Sequence, residues 1–145
     1  MEDKLFGYLQ HEYELLQQMI RNAERQQVAL VKYQITELNE IISFQDALIK
    51  SIRDAEKTRI SYLINWLKIG ITEATEMPLS VIIDKFDNEE VIDKLKSIRS
   101  ELRKSIERLY NLNATNRLLT NRAKINVKEI LGYITGGKAV FNVEV

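Results

Sequence analysis

NEEVIDKLKSIRSELRKSIERLYNLNATNRLLTNRAKINVKEILGYIT, residues 88–135, reads as one uninterrupted helix. Val91, Leu95, Ile98, Leu102, Ile106, Leu109, Leu112, Asn116, Leu119, Ala123, Val127, Ile130 and Ile134 recur at steps of three and four, the spacing of one helix face. Asp87-Asn88 followed by Glu89-Glu90 supplies a cap residue and acids at the positive end of the dipole, and Gly136-Gly137 supplies the left-handed stop. At ~1.5 Å per residue such a helix spans roughly 70 Å. Upstream, Pro78-Leu79-Ser80-Val81-Ile82-Ile83 can open a short helix near 78–86, with the proline in the first turn, and Gly70 to Pro78 reads as a connection. Two further apolar series precede it: Leu5, Leu9, Leu15, Leu16, Met19 and Leu30 in 3–32, then Leu38, Ile41, Leu48, Ile52, Leu63 and Trp66. Lys32-Tyr33-Gln34 breaks the register between them; with no Gly or Pro there, one unbroken helix is the alternative. The expected fold is all-α, an antiparallel three-helix bundle: a long helical hairpin plus a longer third helix, with a single domain over 1–135 and a flexible tail over 136–145. Because the third helix starts where the second stops, it should overhang at its C-terminal end by ten residues or more.

Composition agrees. Five Gly and one Pro in 145 residues are too few for the turns of a β-sandwich or barrel, whereas 45% hydrophobic and 29% charged residues suit amphipathic helices. The 21 basic and 21 acidic residues balance, so the chain lacks a global field for phosphates and no nucleic-acid partner is expected. No apolar run approaches the ~20 residues that span a bilayer, and Met1-Glu2-Asp3-Lys4 does not begin a signal peptide. A cytoplasmic protein without membrane insertion is the expectation, and the absence of Cys fits a reducing compartment.

No enzyme site or cofactor is legible. Gly132 to Lys138 matches the first positions of a phosphate-binding loop, but a helix precedes it, Ala139 follows the lysine and no helix comes after. His11-Glu12 lacks the second histidine of a zinc-protease motif, Leu15 standing one turn on, and with one His and no Cys neither zinc nor calcium has a ligand set. Asn113-Ala114-Thr115 is a chance glycosylation pattern in a chain expected to stay in the cytoplasm.

The third helix has a second peculiarity. Ala114, Leu118 and Ile125 fall on the face opposite the main stripe, and a helix apolar on two faces wants two partners. Its main stripe is flanked by basic residues, Arg99, Arg103, Arg117, Lys124 and Lys128 on one side and Lys104, Arg108 and Arg122 on the other. Asn113 and Asn116, two poor helix formers, lie in or beside that stripe. They either fix register inside the bundle or meet a bound partner.

Leu9-x-x-Glu12-x-x-Leu15-Leu16, Gln45-x-x-Leu48-Ile49-x-x-Ile52-x-x-x-Glu56-x-x-Arg59 and Leu112-Asn113-x-x-Asn116-x-Leu118-Leu119, in this order, resemble the FlgN family of flagellar type III export chaperones over about residues 5–131. The resemblance implies a small cytoplasmic bundle that binds the C-terminal helical segment of hook-associated (hook–filament junction) proteins. It also implies that the chaperone prevents premature assembly of these clients and delivers them to the export gate. In that family the C-terminal helix carries client binding, which points to Asn113, Asn116, Leu118, Leu119, Ile125, Val127, Ile130 and Ile134. The family tends to carry a tail tyrosine that docks to the export apparatus; Phe141 stands near that position without the hydroxyl. Glu12 and Arg59 are expected to pair across the hairpin as a surface ion pair. The competing reading is a coiled-coil scaffold, since the same heptads would serve a homodimer without a client.

Overall fold

The computed structural model describes residues 3–134. Among these the chain forms five helices, α1 (Asp3–Val31), α2 (Ile35–Leu67), α3 (Ile71–Glu76), α4 (Leu79–Ile83) and α5 (Glu89–Ile134). The break at Tyr33 is real. Tyr33 adopts φ 55°, with its N–H donating to Leu30 O and the Gln34 N–H to Ala29 O, the paired bonds of a Schellman turn. A tyrosine in the left-handed region costs about 1 kcal/mol relative to glycine, so the turn is held by what it joins. Lys68 closes α2 with the simpler left-handed cap, at φ 56° with its N–H donating to Ile64 O in a single bond. Asn88 caps α5: its Oδ1 accepts from the N–H groups of Glu90 and Val91 at 3.0 and 3.4 Å.

The stretch from Gly70 to Pro78 departs from the expected plain connection. It holds α3, because Ala74 is 1% exposed against the base of the molecule and its N–H returns to Gly70 O. Pro78 caps α4 from outside rather than standing in its first turn, its carbonyl accepting from Val81 and Ile82.

Cross-helix pairs give the directions. Asn22 Nδ2 donates to Ile41 O and Arg59 to Glu12, so α2 runs antiparallel to α1. Gln17 donates to Ser105 and Asn116 to Ala23 O, so α5 runs parallel to α1. The expected compact three-helix bundle is modified in one respect that matters. Helix α1 packs along both α2 and α5, but no Cα of α2 lies within 8 Å of one of α5. The three long helices therefore form an open arrangement with α1 as the spine.

The core follows from this. At the base, Leu5 and Leu9 of α1, Leu63 of α2, Ala74, Ile82, Ile83 and Phe86 of the connecting segment, and Val91, Leu95 and Ile98 of α5 make one cluster. Higher up it divides into an α1–α2 seam at Leu15, Leu48 and Ala55 and an α1–α5 seam at Ile20, Ala23 and Leu112. The connecting helices thus close the bundle only at the end where they lie.

Candidate functional site: the outer face and free end of α5

Helix α5 is clasped to α1 by polar groups as well as leucines. Gln17 Nε2 donates to Ser105 Oγ at 2.8 Å, and that hydroxyl donates in turn to Glu101 O. Asn116 Nδ2 donates to Ala23 O at 2.9 Å and approaches Gln26 Oε1 at 3.4 Å. Arg108 pairs with Glu24 at 3.3 Å on the exposed rim. Each donor must find its own acceptor, so these contacts hold α5 in one register along α1.

That register places the α1–α2 turn beside Asn126, whose Nδ2 donates to the Tyr33 hydroxyl at 3.1 Å. Helix α5 then continues from Val127 to Ile134 past the end of its neighbours, an overhang of roughly 12 Å. It begins later than the sequence suggested, because Tyr33 reaches across the tip. Tyr33, Asn126, Val127, Glu129 and Ile130 line a shallow cleft of about 450 Å³ at this corner.

The sequence-derived site residues separate into three groups. Leu118 and Ile125 are 65% and 54% exposed on the side of α5 away from α1, with Tyr110 at 74% on the same outer side. Val127 and Ile130, 41% and 58% exposed, continue the stripe that faces α1 lower down, beyond the point where α1 ends. Asn113 and Leu119 are half-buried at the edges of the seam. Asn116 is different: it is 3% exposed and its amide N–H serves α1, so it faces inward and offers nothing to a partner in this arrangement. The Ile134 side chain, Phe141 and the tail over 136–145 lie outside the described residues.

Two features were missed. Tyr33 carried no signal beyond breaking the register, since nothing in its type announces a left-handed turn. The open side of the bundle was the other: Leu16, Ile52, Leu102 and Ile106 line a groove of about 490 Å³ between α2 and α5, with Leu9 and Glu12 of α1 contributing to its wall. Here the expected Glu12–Arg59 pair forms at 2.9 Å, but it is not a surface pair, the side chains being 13% and 21% exposed. Burial raises the Glu12 pKa above its ordinary 4.5, outweighing the attraction of Arg59, and nearby Glu56 adds to the rise. The folded state thus holds this proton more tightly than the unfolded chain. The favourable contribution of Glu12 is complete below the unfolded value and is lost as pH rises through the raised folded one. Glu12→Gln is therefore expected to gain stability relative to the wild type between pH 4 and pH 7, measured by urea unfolding at both. A wild-type advantage that grows with pH would show that Arg59 dominates.

Among the described residues no group of three or more His, Cys, Asp or Glu is placed to hold a metal ion, and no helix is long and apolar enough to cross a membrane. No curated protein and no solved structure matches the chain. The family model described as FlgN protein matches residues 1–143, a span that takes in the hairpin, the connecting helices and all of α5. With an all-helical fold, an order of motifs that runs through each long helix, and a match over nearly its whole length, the chain belongs to the FlgN family of flagellar export chaperones.

Proposed function

We propose that this protein is a cytoplasmic chaperone that holds the C-terminal helical segment of a hook-associated protein against α5, prevents its premature assembly and delivers it to the export gate. The observation that carries the reading is the set of exposed apolar residues on a helix longer than its neighbours: Leu118 and Ile125 outside, Val127 and Ile130 past the tip. An amphipathic client helix, unpaired before assembly, would lay its apolar side there and gain about 25 cal/mol per Å² buried, less the cost of ordering both segments. Asn113 and Leu119 border the contact, and Asn116 serves it indirectly by holding α5 in register. By its spacing in the sequence Ile134 belongs to the same stripe, and Phe141 is assigned to contact with the export apparatus.

The test is calorimetric titration of the full chain with peptides covering the C-terminal helices of the same organism's hook-associated proteins, repeated with a chain ending at Thr120. Saturable one-to-one binding is expected, with at least a tenfold loss in the truncated chain. That chain should remain helical, because it keeps the base cluster and both seams. A self-associated protein that binds no such peptide would leave the scaffold reading instead.

A further inference from the structure

The charge on α5 is segregated. Its first turn is acidic, with Glu89 and Glu90, yet from Arg108 to Lys128 there is no Asp or Glu at all, while Arg108, Arg117, Arg122, Lys124 and Lys128 all fall in that stretch. The chain as a whole is neutral, so the compensating acids lie elsewhere. Arg108 is engaged with Glu24. Arg117, Arg122 and Lys128 are exposed and make no ion pair among the described residues.

These three basic residues border the outer apolar ridge. At about 100° per residue Leu118 and Ile125 share one direction on the helix, with Arg122 a turn beyond Leu118 on one side and Arg117 and Lys128 on the other. Between the exposed Glu107 and Glu129, which close the ridge at its two ends, an apolar strip with Arg122 on one edge and Arg117 and Lys128 on the other is complementary to a short amphipathic helix whose apolar strip runs between carboxylates. We infer that the outer face of α5 around Leu118 and Ile125 takes an acidic amphipathic helix, a conclusion that rests on the client-binding reading above and adds the chemistry of the client.

The same arithmetic disfavours a second copy of this chain. Two copies meeting at Leu118 and Ile125 would set one basic run against the other whether parallel or antiparallel, since the run is nearly centred on Leu118. The cationic rims also discriminate among client helices: a helix with lysines at its flanks would meet like charge at both edges, whereas Glu or Asp there would steer encounter and slow departure.

The test uses the full-length chain and a pair of synthetic helical peptides with identical apolar positions, one carrying Glu and the other Lys at the flanking positions, alongside the hook-associated tails. The Glu peptide is expected to bind at least tenfold more tightly than the Lys peptide. Arg117→Glu, Arg122→Glu and Lys128→Glu together should reverse that preference without loss of helicity, and should weaken the natural tail by about tenfold at low salt. An unchanged preference in the triple variant, or a preference for the Lys peptide in the wild type, overturns the inference. Natural tails that bind with no dependence on salt or on these residues overturn it while leaving the chaperone reading intact. Natural tails that fail to bind while the Glu peptide binds would sink the client assignment and leave the acidic-helix site standing. Binding to phosphatidylglycerol vesicles that is lost in the triple variant, with neither peptide preferred, would assign the face to an anionic membrane and overturn the proposal.

Discussion

Replacing Leu118 and Ile125 together by Asp is expected to abolish client binding, by a hundredfold or more, while leaving the chaperone folded. Both side chains are more than half exposed in the free protein, so the exchange removes little buried area. The folded state should lose only about 1 kcal/mol, mostly from the lower helix propensity of Asp. Part of that is recovered locally, because Asp at 118 stands one turn before Arg122 and can pair with it. In the complex the balance differs. Two apolar anchors would be replaced by carboxylates that must lose water against the apolar side of a client helix. Losing two central anchors at about 2 kcal/mol each is a factor of several hundred or more in affinity. Calorimetry against the hook-associated tails measures the loss, and circular dichroism with thermal melting establishes that the fold is retained. If the double variant instead dissolves a homodimer and still binds the tail unchanged, this face belongs to self-association and the client sits elsewhere, with the groove between α2 and α5 the next place to look.

The largest effect on stability is expected at Leu63. It is 0% exposed in the base cluster, where α1, α2, the connecting segment and α5 come together. Leu63→Ala removes a branched side chain from a site walled by several elements that cannot all collapse inward, so the loss should fall at about 3–4 kcal/mol. That is a large share of the roughly 5–15 kcal/mol typical of a domain. Leu48→Ala, in the narrower α1–α2 seam, should cost about 2 kcal/mol, since two helices can close on the space more easily than a many-sided cluster. Urea unfolding of the two variants provides the comparison. The single tryptophan, Trp66, reports directly, because its ring lies 4.9 Å from Phe86 and stacks on Tyr62 at 5.9 Å. Equal losses at the two sites would mean that the base cluster is not where the open bundle is secured.

Much of this architecture is present in local sequence. The start of α5 follows from the chemistry of Asn88, Glu89 and Glu90, the length of its stripe from periodicity, and its second apolar face from Leu118 and Ile125 standing opposite that stripe. These are properties of one segment, governed by contacts within a few residues, and a linear reading captures them. The left-handed turns at Tyr33 and Lys68 escape such a reading because neither residue type favours that backbone; the helices on either side impose it. Helix α3 escapes it too, because so short a helix is stabilised by the burial of Ala74 rather than by its own propensity.

The functional surface divides along the same line. In the sequence Asn116 is either a register key or a client contact, the family resemblance pointing to the second, and Glu12–Arg59 has the look of an exposed pair. Tertiary structure turns Asn116 toward Ala23 and partly buries the ion pair on the open side of the bundle. The sequence by itself determined that the long helices form, where they are apolar, and that the last one has more apolar surface than one partner can cover. Only the tertiary structure decided which of those surfaces are already taken. Periodicity reports that a face is apolar, but what covers it depends on residues some ninety positions away and on which pair of helices is left apart.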